Sequence, residues 1–136
     1  INLETSIIFN LINDIDRYPE FLPWCTKTEV LNKTKNTLTG KIYISKSLMK
    51  WDFTTNNIID KNKTITLMLV DGPFEMLDGQ WSFTSLDKNN TRVCLKINYK
   101  FKNLIIELSI EPIFKTIMNS ILNSFIEQAF KDKYDD

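Results

Sequence analysis

Carboxylates are the first residues in this chain whose types and spacing could do chemistry. Asp14 and Asp16 stand close together near the start, and Glu107 and Glu111 are spaced to share one face of a helix. Paired carboxylates can divide acid and base work, but only if an apolar site holds one of them with a raised pKa. An exposed like-charged pair on a helix is ordinary. Histidine is absent, which removes the Ser–His and Cys–His nucleophile pairs and the commonest metal ligand. Cys25 and Cys94 are too few for a disulfide framework and do not have zinc spacing, and they fit a reducing compartment as small buried residues. The reading is therefore a non-enzymatic protein with no catalytic residue, metal or cofactor.

Charge offers a second kind of site. The 17 basic and 17 acidic residues cancel, so no global pull towards nucleic acid is expected. Between Lys27 and Lys50, however, six lysines face one acid, Glu29. Such a run is either a solvated strand face or a patch for RNA or anionic lipid, with Lys33, Lys35 and Lys41 as the contacts. A third kind of site is apolar. Phe21, Trp24, Trp51, Phe74, Leu77, Trp81, Met118 and Leu122 are the candidates for lining or gating a hydrophobic cavity, each with simple core packing as the alternative.

The elements that would position these residues can be read from periodicity. From Ile113 to Phe130 apolar pairs recur every fourth residue, which predicts a helix whose apolar stripe slides about 160° round its axis. A flat partner could not cover that stripe, whereas a curved sheet could. Leu104 to Pro112 predicts a broken start, followed by a continuous helix to about Lys131 and a fraying tail, Lys133–Asp136. Upstream, Glu4–Asp16 predicts a helix with Ile7, Ile8, Leu11, Ile12 and Ile15 on one face and Thr5 or Ser6 as its cap. Pro19 and Pro23 forbid a long helix in the aromatic segment Tyr18–Cys25, which reads as a lid or plug.

Between the helices the pattern has period two. Leu38, Gly40, Ile42 and Ile44 alternate with polar residues. Met49, Trp51 and Phe53 do the same, as do Ile65, Leu67 and Leu69, then Trp81 and Phe83, then Val93 to Phe101. With Glu29–Leu31 opening the first strand, this predicts a meander of about six antiparallel strands, one face covered and the other solvated. Asp71–Gly79 stands apart as an expected loop that carries Phe74, Met76 and Leu77, either folded onto the core or serving as an apolar gate or membrane-touching tip. Helix, meander, long helix is an α+β order. The length and the composition, 43% hydrophobic and 25% charged, suit a single domain over 1–136. No apolar run approaches the ~18 residues of a membrane span, and no signal or transit segment is read at the start. The expected location is the cytoplasm, with peripheral contact at a membrane.

Three stretches, Asp14–Cys25 (DIDRYPEFLPWC), Ile44–Asn56 (ISKSLMKWDFTTN) and Leu69–Leu86 (LVDGPFEMLDGQWSFTSL), closely resemble the coenzyme Q-binding branch of the START-like, helix-grip superfamily, a branch that includes the bacterial ribosome-association toxin. The resemblance implies a seven-stranded curved sheet gripping the C-terminal helix over a lipid-sized cavity. Here Ile1–Leu3 is all that remains of the first strand. The resemblance implies two functions. One is binding of ubiquinone, in support of its synthesis or its delivery to the respiratory chain. The other is binding of the large ribosomal subunit to block subunit joining. Glu75 departs from the pattern, standing where relatives often place a basic residue.

Overall fold

The computed structural model describes residues 1–134, and Asp135 and Asp136 lie outside the described residues. The elements run α1 (Thr5–Asn13), a 3₁₀ turn (Ile15–Arg17), α2 (Tyr18–Phe21), then six strands and α3 (Leu104–Tyr134). The strands are β1 (Cys25–Lys33), β2 (Thr37–Lys46), β3 (Met49–Asp60), β4 (Thr64–Asp71), β5 (Phe74–Asp87) and β6 (Asn90–Phe101). They form one antiparallel sheet in sequence order, each hydrogen-bonded to its neighbours in the chain. Register breaks in β1, between Thr54 and Thr55, and in β5 mark bulges. Bulges bend strands, and these let the sheet curl over α3.

One bulge explains the largest difference from the expected layout. Asp71–Gly79 is not a long loop. It contracts to a turn at Gly72–Pro73, and the 14-residue β5 begins at Phe74. The register shifts between Phe74 and Met76, so the inward parity passes from Phe74 to Leu77, Gly79 and Trp81, and strict alternation is lost across that stretch. Phe74 therefore lies in the core at 2% exposure, while Met76 points outward. Gly72 needs its freedom. Its φ is +147°, and a Cβ there would come within 2.8 Å of Phe53 Cβ.

The helices also depart in detail. α1 stops at Asn13, and Ile15 stays buried through the 3₁₀ turn that follows. Neither Thr5 nor Ser6 caps α1. Glu4 holds the capping position without a side-chain bond, and the Thr5 hydroxyl instead meets that of Thr91 at 2.9 Å. α3 is not broken at Pro112 but runs through it for 31 residues, to Tyr134 rather than Lys131, so Lys133 and Tyr134 of the expected tail are helical. Asn103 caps it, its Oδ1 accepting from Ile106 N–H at 2.9 Å. Proline costs the Leu108 carbonyl its helical bond, and Leu108 sits on the solvent side, where water can satisfy that oxygen.

Packing joins these layers. Phe9 of α1 meets Phe83 of β5 edge-on at 5.2 Å, and Tyr18 meets Phe125 of α3 at 5.1 Å. Arg17 grips Asp132 with two hydrogen bonds, 2.7 and 3.1 Å, tying the 3₁₀ turn to the end of α3. Ile1 pairs with Thr91 through both backbone groups, and Thr91 Oγ1 donates to the Leu3 carbonyl at 2.7 Å. That pairing covers only the beginning of β6, the last strand in the sheet order.

Candidate functional site

The side chains that α3 sends into the sheet do not bury evenly. Ile110, Phe114, Ile117, Phe125 and Ala129 are buried, but Met118, Ile121 and Leu122, between the second and third pairs of turns, are only half-buried. A rung of the helix stands over empty space there. The space is a cavity of about 80 Å³, enough for roughly three waters and about half the ~150 Å³ of an apolar cavity that takes a benzene ring. Ile42, Ile44, Phe53, Leu67, Leu77, Trp81, Leu95 and Ile97 form its sheet wall. Phe114, Ile117, Met118, Ile121 and Phe125 form the helix wall, and Ile15, Tyr18 and Trp24 close one end. Among the described residues, no Lys, Arg, Asp or Glu lines it.

Three polar side chains do. The Tyr18 hydroxyl donates to the Ile12 carbonyl, and burial pushes its pKa upward, so the phenol stays neutral. Thr55 and Asn57, on the inner face of β3, are the others, at 5% and 8% exposure. Thr55 Oγ1 donates to Asn57 Oδ1 at 2.8 Å. The inward parity of Trp51 and Phe53 runs on to these two residues, so alternation carried past Thr54 was the signal that could have found them. Ile15 was legible as part of an apolar helix face and Tyr18 as part of a lid or plug, but nothing in their spacing marked them as cavity wall.

On the far side of α3's half-buried residues the cavity is adjoined by an open groove. Leu95, Ile97, Met118 and Ile121 face both spaces, and Tyr99 and Leu122 complete the groove, about 290 Å³ by the same measure. It runs between α3 and β6.

The sequence-derived candidates divide among these places. Trp24, Leu77, Trp81 and Met118 border the cavity, and Leu122 borders the groove. Phe21 packs edge-on to Tyr18 and Phe125 above the closed end. Phe74 sits in a ring cluster, 5.0 Å from Phe101 and 5.4 Å from Phe114. Trp51 adjoins a separate surface depression beside Tyr43, Lys50 and Asp52, and its indole N–H is buried without a partner among the described residues.

The lysine-rich stretch is less bare than its composition suggested. Lys27 pairs with Glu29 at 3.0 Å, and Tyr43 Oη donates to the same carboxylate at 2.9 Å. Lys41 lies over the Tyr43 ring and 3.8 Å from Asp52. Hydrogen bonds from Lys27 and Tyr43 hold the Glu29 carboxyl below its ordinary pKa. Lys33 and Lys35 remain exposed, Lys33 near Asp14 and Asp16. Burial pushes the Cys25 thiol up to about 11, which keeps it protonated and unreactive at neutral pH. Glu75, at the start of β5, pairs with Lys100 at 3.2 Å.

Residues 1–126 match the family described as polyketide cyclase / dehydrase and lipid transport. The chain belongs to this family. Among its relatives, a protein of Vibrio cholerae named ribosome association toxin RatA is 35% identical over 95% of this chain and 90% of its own. The mitochondrial coenzyme Q-binding protein COQ10 of Dictyostelium discoideum is 27% identical over 87% of this chain and 60% of its own. The Zhui aromatase/cyclase of Streptomyces sp. R1128 superposes with a TM-score of 0.86 at 14% identity, over 96% of this chain and 89% of that one. That likeness establishes the START-like fold, six strands curled over a long C-terminal helix. No described helix is long and apolar enough to cross a membrane.

Proposed function

We propose that this protein binds a polyisoprenoid quinone, ubiquinone or a close analogue, and supports its synthesis or delivery for respiration without chemistry of its own. The observation that carries the reading is the cavity, walled by apolar and aromatic side chains and adjoining an apolar groove. The cavity alone is smaller than a quinone ring, but it shares Leu95, Ile97, Met118 and Ile121 with the groove, and the two spaces together admit one. The head enters the cavity, and the tail leaves through the groove between α3 and β6. Each buried methylene contributes about 0.8 kcal/mol, so a short length of tail suffices to hold the guest. The relative named for coenzyme Q binding supports the choice of guest. Exposed Leu104, Ile105 and Leu108 at the start of α3 supply the surface with which such a carrier would meet the inner membrane. The test is gentle purification followed by solvent extraction and mass spectrometry. A quinone in the extract is expected, and a cavity that stays empty at saturating quinone overturns the reading.

A second reading is favoured by the relatives named as ribosome association toxins, which are more similar to this chain than the coenzyme Q-binding one. In it, Lys33 and Lys35 contact phosphates of the large ribosomal subunit, with Lys41, already engaged by Asp52 and Tyr43, contributing less. Co-sedimentation with large subunits should then fall steeply with salt and weaken on Lys33→Glu with Lys35→Glu. Salt-insensitive or absent co-sedimentation removes it.

A further inference from the structure

We infer that Thr55 and Asn57 are the head-group recognition pair of the cavity, and that they select a neutral ligand presenting a carbonyl-type hydrogen-bond acceptor. The inference rests on the reading that the cavity holds an apolar guest, and it adds what kind of head that guest must have.

The argument begins with how out of place the two residues are. β3 is flanked on both sides by other strands, and asparagine is a poor residue for a central strand. Its register neighbours at Asn57 are Leu38 on one side and Leu67 on the other. Its inner face otherwise carries Trp51, Phe53 and the half-buried Ile59. A primary amide has two N–H donors and an acceptor oxygen. Here the oxygen takes the Thr55 hydroxyl, and the amide nitrogen donates to no described residue although the side chain is more than nine-tenths buried. The nitrogen is not sealed in, unlike the Trp51 indole nitrogen, so it is an open donor rather than an orphaned one. It borders the cavity, where a ligand acceptor can meet it. Thr55 orients the amide by holding its oxygen, which leaves the nitrogen as the face offered to the guest.

The end wall is built to bring a ring close to the pair. Gly40 stands opposite Thr55 in the register, and Ile15 Cδ1 takes up the space that a Cβ on Gly40 would need. Ile15 thus reaches down to the sheet beside Thr55 and bounds the space there. Charge then decides the class of acceptor. With no cationic side chain on the lining, a carboxylate or phosphate head would lose its hydration without a counter-charge, whereas a quinone carbonyl asks for one neutral donor.

Three probes separate the possibilities by NMR titration of labelled protein. They are a dimethoxy-methyl-benzoquinone with a ten-carbon alkyl chain, the matching alkylbenzene, and a saturated fatty acid of similar length at neutral pH. The wild type should bind the quinone more tightly than the alkylbenzene by about tenfold, the worth of one good hydrogen bond, and the fatty acid most weakly. Asn57→Leu should erase that preference and leave the alkylbenzene unchanged or tighter. Thr55→Val keeps the shape and β-branching, so it serves if Asn57→Leu fails to fold, and it should cost the quinone about threefold through loss of the oriented amide. Quinone binding that is indifferent to both substitutions, or a wild type that prefers the fatty acid or does not distinguish quinone from alkylbenzene, overturns the inference and leaves the cavity reading standing. A wild type that binds none of the three overturns the cavity reading itself.

Discussion

At one end of the interface between α3 and the sheet, Phe74 stacks on Phe101 and takes the edge of Phe114, with Tyr99 4.8 Å from the same Phe114 ring. Further along α3, Tyr18, Trp81 and Phe125 also meet edge-on, at 5.1 and 5.6 Å. Both regions are built from aromatic rings that meet mostly edge-on, the stacked Phe74–Phe101 pair apart. In the first the rings touch across the whole gap and fill it. In the second they meet only at the rim, and Ile121 and Met118 above Leu67 and Leu95 are too short to close the middle. Aromatic content therefore does not distinguish core from cavity. What distinguishes them is whether a large side chain on one layer falls opposite a large one on the other.

Three substitutions would break or sharpen that contrast. Phe74→Ala removes the centre of the filled end and should destabilise the fold by about 3–5 kcal/mol, read by urea unfolding, while the folded fraction still binds a short-chain quinone. A small stability loss would mean the cluster is less tightly packed than its ring distances indicate. Met118→Trp instead adds volume where space exists. It should change stability by less than about 1.5 kcal/mol and abolish quinone binding in the same titration, whereas unimpaired binding would put the guest elsewhere.

The smallest effect is expected at the clamp outside the hollow. The hydrogen bond and charge of Arg17 lower the pKa of the half-exposed Asp132. A carboxyl whose folded pKa is depressed adds stability above its unfolded pKa and loses it as pH falls through the folded one. Asp132→Asn should therefore cost at most about 1 kcal/mol at neutral pH, after discounting for solvent, and the gap between mutant and wild type should close below about pH 4. A gap that persists in acid would mean that packing, not charge, holds the clamp.

Most of the architecture was legible along the chain because hydrophobic period is a local signal. The alternation through Leu38–Ile44 placed β2 within a residue or two of its observed limits, and that through Met49–Phe53 and Val93–Phe101 found β3 and β6 but not the run of β3 to Asp60 or the start of β6 at Asn90. The four-residue repeat placed α3. Where local signals misled, a non-local partner had intervened. Pro112 pointed to a break, but Asn103 caps a helix that runs on through the proline, with Ile110 and Phe114 buried in the core on either side of it. Gly72-Pro73 pointed to a long loop, but β6 pairs with residues from Phe74 onward, and one bulge reconciles Phe74 with Leu77 on the inner face. Of the apolar candidates, Trp24, Leu77, Trp81 and Met118 reached the cavity wall, whereas Phe74 went to the packed cluster and Trp51 to another depression.

The order of residues alone determined that a curved, one-sided sheet would close over a drifting apolar helix, since period two and period 3.6 are properties of each segment by itself. It also determined that no imidazole would be present to do chemistry inside. The tertiary structure decided where the interior would be left unfilled and which polar groups would be stranded there. A void is a shortfall of volume between layers contributed by strands and helices far apart in the chain, and the isolation of Asn57 depends on what neither β2, β4 nor α3 offers it. Neither quantity exists until the layers meet.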